Sequence, residues 1–142
     1  MITWDRLRAG ANVLNLSTAL GLAAALAGRA RLRRGPHGLI LAEGYRFGFP
    51  VAGAFTVGDV ILTRGDFVRL GAAQPDLLEH ERRHAMQYAV LGPWFLPAYL
   101  AAVAWSWWRA GDPATRNVFE RHAGLVSGGY APPPQPDPEP WA

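Results

Sequence analysis

The stretch Leu77-Leu78-Glu79-His80-Glu81-Arg82-Arg83-His84-Ala85-Met86-Gln87-Tyr88 decides how the rest of the chain is read. It contains an HExxH box, His80 to His84. On an α-helix residues i and i+4 lie on one face a turn apart, so both imidazoles can reach one metal ion. Glu81 then sits about 100° round from His80, beside such an ion, where its carboxylate can take a proton from a bound water. The helix has its boundary signals. Pro75 and Asp76 suit a start, Glu79 falls three after Asp76 as in a capping box, and Gly92-Pro93 supplies a stop. The competing reading is a solvated charged face, with Glu79 and Arg83 as an i,i+4 pair. Gln87 and Tyr88 read as structural or substrate-lining residues.

A catalytic zinc takes three protein ligands and leaves a fourth position for water. The variant with a third histidine six residues on would need glycine at position 87 and histidine at position 90. Gln87 and Val90 exclude it. The other common solution is a glutamate from a later helix, for which the candidates are Glu120 and Glu139, with His122 as an imidazole alternative. Glu139 falls in a proline-rich tail. Glu120 and His122 are two apart on one helix and cannot both face the metal. Glu120 is preferred, with His122 the alternative. Tyr130 could stabilise an oxyanion or simply pack.

Upstream of the motif the sequence changes character twice. Ala11 to Gly28 is weakly apolar, but Asn12, Asn15, Ser17 and Thr18 interrupt it and no Ala-x-Ala site follows, so no signal peptide is recognised. A short helix capped by Ser17 or Thr18 and ending at Gly28 fits better. From Ala30 to Gly65 the pattern is β: Leu39–Leu41, Phe47–Phe49, and Ala54–Leu62 with a hairpin turn at Gly58-Asp59. His37, between Pro36 and Gly38, reads as a turn residue. Asp66 to Leu70 opens a helical turn.

Downstream, Leu91 to Trp108 is an uncharged run of eighteen residues, at the lower limit for a membrane span. Pro97 places the helix start near itself. What remains is a helix apolar all round, either buried in the core or in contact with lipid. Trp94, Trp105, Trp107 and Trp108 flank it, as indoles do at a membrane interface. Pro113 to Leu125 reads as a further helix with Thr115 as cap. Residues 131–142 carry six prolines and read as an extended, disordered tail after a single domain, 1–130, with its core at 38–130.

Composition narrows the classes. The 142 residues include no cysteine, which rules out disulfides and thiolate metal sites. The net charge is +3, and all 14 cationic residues are arginine. Their densest cluster, Arg29 to Arg34, lacks interleaved aromatic residues, so a solvated or membrane-surface edge is expected rather than nucleic-acid binding.

Phe55-Thr56-Val57-Gly58-Asp59-Val60-Ile61-Leu62, the HExxH stretch with Gln87, and Asn117-Val118-Phe119-Glu120 together carry a resemblance. They are similar to minigluzincin-type metallopeptidase domains, among them the metallopeptidase-like domain associated with extracellular contractile injection systems. The resemblance covers about residues 54–130. It implies an α+β zincin-like fold: a small sheet or hairpin packed on the HExxH helix and a later glutamate helix, with an additional apolar helix. It implies His80, His84 and Glu120 as zinc ligands and Glu81 as general base, in a hydrolase acting on a peptide or protein. Where gluzincins place an aspartate four residues after the ligand glutamate, this chain has Gly124, so either a backbone carbonyl orients the imidazole or the site is weakened. The rival expectation is a non-catalytic membrane-associated or assembly protein keeping a structural metal site. The expected location is cytoplasmic or membrane-associated, the latter through Trp94–Trp108.

Overall fold

Two helices open the chain, α1 (Trp4–Leu14) and α2 (Ser17–Ala27), in a computed structural model that describes residues 3–48 and 53–130. The proline-rich segment 131–142 and Phe49 lie outside the described residues. Thr3 caps α1, accepting from the Arg6 amide. The cap expected for α2 is different. Its N-cap is Leu16, with φ 69°, while Ser17 and Thr18 lie buried in the first turn. The Ser17 amide is satisfied by the Asn15 side-chain oxygen, which frees Thr18 to bond elsewhere.

Four short strands follow: β1 (Arg31–Arg34), β2 (Ile40–Glu43), β3 (Phe55–Val57) and β4 (Val60–Leu62), in the order β1-β2-β4-β3. β1 and β2 are antiparallel, β2 and β4 parallel, and β3 and β4 form the hairpin expected at Gly58-Asp59. The arginine cluster is therefore an edge strand with every side chain exposed. Phe47 and Gly48 are not a strand; the Phe47 ring packs edge-on against Tyr45 at 5.4 Å. Gly58 is required twice over: its φ is 64°, and a Cβ there would collide with the Ser17–Thr18 backbone.

The alternation of side chains divides the core. Ala42, Val57, Val60 and Leu62 face α2 through Ala25, while Leu41 and Ile61 face the other way. That second face is covered by Phe67 of α3 (Phe67–Ala73) and by Leu77 and Ala85 of α4 (Leu77–Leu91), the motif helix. Asp66 caps α3 by accepting from the Arg69 amide. The expected capping box on α4 does not form. Asp76 makes no side-chain cap, and Glu79 pairs with Arg82 at 2.8 Å and Arg83 at 3.6 Å instead.

Gly92, with φ 62°, separates α4 from α5 (Phe95–Ala110). α5 begins two residues before Pro97, which falls in the first turn where its missing N–H leaves no bond unmade. Taken end to end, Leu77–Ala110 is long and apolar enough to cross a membrane. It is not one rod. The rings of His84 and Tyr99 lie 5.9 Å apart, whereas a straight helix would separate positions 84 and 99 by about 22 Å. α5 thus folds back over α4, burying Phe95 and Ser106 and leaving Trp94, Leu100, Trp105, Trp107 and Trp108 exposed.

The final helix, α6, is shorter than the sequence suggests, Val118–Ala123. Asp112 accepts from the Ala114 and Thr115 amides and holds a turn, so the helix starts only at Asn117. Asn117, not Thr115, is the cap, accepting from the Phe119 and Glu120 amides.

A buried polar cluster locks α1 to this frame. Arg8 is 1 % exposed and donates to Asp59 at 2.8 Å. Asn12 bridges Asp59 and the Ala85 carbonyl of α4, both at 3.0 Å. Thr18 donates to the other Asp59 oxygen at 3.3 Å.

Candidate metal centre

α4 supplies two imidazoles and α6 one carboxylate. His80 and His84 bring their Nε2 atoms to 3.0 Å of each other. Glu120 Oε2 lies 3.2 Å from His80 Nε2, and Oε1 lies 3.5 Å from His84 Nε2. Asn117 fixes this approach, because its cap aligns the first turn of α6 with Glu120 facing inward.

The spacing fits a metal. A tetrahedral ion with bonds near 2.0–2.1 Å separates its ligand atoms by about 3.3 Å. The three donors are buried and their candidate ligand atoms all lie within 4.8 Å of one another, so the group could hold an ion. Hydrogen bonding points the same way. His80 Nδ1 faces the Gly124 carbonyl at 2.8 Å, and His84 Nδ1 faces Gln87 Oε1 at 2.8 Å. Both partners can only accept, so each Nδ1 carries its hydrogen and each neutral ring turns an Nε2 lone pair inward. Glu120 Oε2 meets no donor among the described residues. Two lone pairs and a buried carboxylate converging on one point need a cation between them.

Burial disfavours a charged His84, but Glu120, with Glu81, outweighs it and raises the imidazole pKa. Burial would likewise raise Glu120; the facing imidazoles of His80 and His84 hold it well below the usual carboxylate range.

Gly124 stands where the gluzincin pattern has an acidic side chain, and its own carbonyl does the orienting. The turn after it closes on the site. A Cβ on Gly128 would lie 2.5 Å from His80 Cε1, so the backbone there lies flat against the imidazole.

Glu81 is 4 % exposed, and its Oε2 accepts from the Thr56 hydroxyl of β3 at 2.6 Å. Tyr99 of α5 donates to Glu120 Oε1. Burial, then the Glu120 charge, raise the phenol pKa of Tyr99 and push that of Tyr130 up to about 12, so both stay protonated at neutral pH. His122 is exposed and receives the Gln87 amide at 3.1 Å; it is Glu120, not His122, that meets the two imidazoles. His37 sits in a tight turn, as read.

Thr56 and Tyr99 are absent from the sequence-based site, whereas the Gly124 carbonyl is the backbone acceptor that the sequence left as one of two possibilities. Thr56 carries the one hydroxyl of β3 and Tyr99 the one phenol of α5, the only signals that could have found them. Gln87 also gains a definite place. Its amide holds His84 from behind while donating to the Phe119 carbonyl at 3.0 Å. Gln87→Leu is expected to weaken metal binding about 10–100-fold without loss of fold, measured by competition with a chromogenic chelator.

The fold and site define a mixed α+β protein with a four-stranded sheet and a His-His-Glu group able to hold a metal ion. The chain matches no protein-family profile, no curated protein and no solved structure.

Proposed function

We propose that the chain is a zinc-dependent, metallopeptidase-like hydrolase of the gluzincin type, with His80, His84 and Glu120 as ligands and Glu81 as general base. The observation that carries this reading is the near-tetrahedral spacing of three buried donors on α4 and α6. A His₂Glu set is a catalytic zinc set, leaving one position open. Zinc held there would supply Lewis acidity and an acidified water.

The remaining work falls to the chain. Glu81 accepts the proton, with the Thr56 hydroxyl fixing its carboxylate. Thr56 belongs to β3, the sheet edge, whose outer side can align an extended peptide by strand addition. Tyr99 holds the Glu120 carboxylate in place, donating its one hydroxyl hydrogen to Oε1.

A second reading has its own observation. Every one of these carboxylates and imidazoles is buried, and the Gly128 backbone lies against His80, as suits a structural metal site in a non-catalytic protein. Metal analysis of protein purified without a histidine tag tests both. One zinc per chain is expected, lost in His84→Ala and in Glu120→Ala. The hydrolase reading further expects cleavage within a random peptide library, abolished by a chelator and restored by zinc. Zinc without cleavage, and a melting temperature that collapses on chelation, would favour the structural site.

A further inference from the structure

Two helix corners meet on the surface. At the first, α1 turns through 74° into α2 at Asn15 and Leu16; at the second, α4 turns into α5 at Gly92. Asn15 joins them. Its side-chain amide donates to the Tyr88 carbonyl at 2.9 Å, and a Cβ on Gly92 would lie 3.5 Å from that of Asn15. Around this contact the chain leaves large apolar side chains in solvent: Leu14 is 85 % exposed, Leu16 65 %, Val90 78 % and Trp94 79 %. Scattered exposed apolar residues need no explanation; a cluster does. Leu16 is moreover held there in left-handed backbone, φ 69°, a conformation that residues with a Cβ rarely adopt.

Charge indicates what covers the cluster. Positions 9–28 and 85–108 contain no charged residue. No acidic residue falls between Asp5 and Glu43, nor between Glu81 and Asp112. The first run ends at the exposed Arg29, Arg31 and Arg34, the second at the exposed Arg109. Arg109 stacks its guanidinium 5.6 Å from the ring centres of both Trp105 and Trp108, themselves exposed. Exposed apolar segments that end, further along the chain, in indoles and guanidinium groups complement the boundary between acyl chains and anionic headgroups. A second copy of the chain would set these arginines against their own kind. A span is disfavoured because α5 folds back on α4 through the His84–Tyr99 contact.

We propose that the α1–α2 and α4–α5 corners, with the exposed indoles of α5, form a docking surface for an anionic lipid bilayer, on which the protein lies without crossing it. This holds whether or not the metal site is catalytic.

The test uses the full chain and vesicles of phosphatidylcholine, with or without phosphatidylglycerol, separated by flotation. The protein should float with phosphatidylglycerol vesicles, be released by high salt, and stay behind with phosphatidylcholine alone. Leu16→Ser combined with Trp94→Ser should lower partitioning about a hundredfold. The melting temperature should not change, since both side chains are exposed. Val68→Ser, on an equally exposed residue of α3, should have no effect. Because the chain lacks cysteine, Leu16→Cys and Val68→Cys can each carry a polarity-sensitive dye; only the first should shift to the blue on vesicles. Four results overturn the proposal: no flotation, flotation that the double variant retains, retention that only detergent releases, or a lipid-free dimer that the double variant abolishes.

Discussion

Glu81→Gln is expected to cut peptide hydrolysis by about 10²–10⁴-fold while bound zinc and melting temperature stay at parental values. Glu81 follows His80 by one residue, so it stands beside the metal group without being one of its three donors. Glutamine has the same shape, and its amide oxygen can still accept the Thr56 hydroxyl that now binds Glu81 Oε2 at 2.6 Å. Only the capacity to take up a proton is removed. His84→Ala acts differently, since it deletes a donor and with it the metal. A hydrolase therefore separates the two variants: Glu81→Gln is inactive and zinc-replete, His84→Ala inactive and zinc-poor. A structural metal site gives another pair of results, with Glu81→Gln like the parent in every assay and His84→Ala destabilised. Zinc content, thermal melts and single-turnover cleavage distinguish them.

Asp59→Ala should destabilise the fold by about 3–5 kcal/mol, the range for breaking one side of a buried ion pair. Asp59 is 2 % exposed and accepts from Arg8, Asn12 and Thr18. Its loss leaves the buried Arg8 guanidinium with Asp5 as its remaining carboxylate, at 3.0 Å. Asn12 would keep its bond to the Ala85 carbonyl. Urea unfolding measures the change, and a loss under about 1 kcal/mol would place Asp59 among surface pairs of little weight. The variant's metal affinity should fall less than its stability, because none of the three donors touches Asp59.

What could be read from the sequence follows from how each element is held. The motif helix and the β3–β4 hairpin announce themselves through i,i+4 spacing and a glycine at positive φ. The third donor could be narrowed to Glu120 or His122, and the structure brings Glu120 to the imidazoles. Other elements left no such trace. α1 has an apolar stripe, but Trp4, Leu7 and Leu14 on it are exposed and the residues it buries are Arg8 and Asn12, which read in the sequence as interruptions. Those side chains are its anchors. β1 is four exposed residues, three of them arginine, held to β2 by backbone pairing and by the Arg33–Glu43 ion pair. α6 starts later than a Thr115 cap implies because Asp112 accepts from the Ala114 and Thr115 amides and holds a turn there, leaving Asn117 to cap the helix. The brake on Glu79 is similar: two neighbouring guanidinium groups compete with the helix terminus and win.

The Asp59 cluster also governs which parts of the molecule can open separately. Peeling α1 away would strand the Asp59 carboxylate at the hairpin turn and uncover the Ala85 carbonyl on α4. The Asp59 carbonyl also accepts the Ile40 amide at the start of β2. Fraying of the first helix is thereby tied to the turn of the hairpin and to the middle of the motif helix. The smallest cooperative opening unit therefore includes the start of the sheet's central parallel pair, and not the N-terminal helix alone. His84 directly precedes Ala85 and His80 lies about a turn before it on the same helix, so both imidazoles inherit the rigidity of that unit rather than the looser dynamics of an exposed chain end.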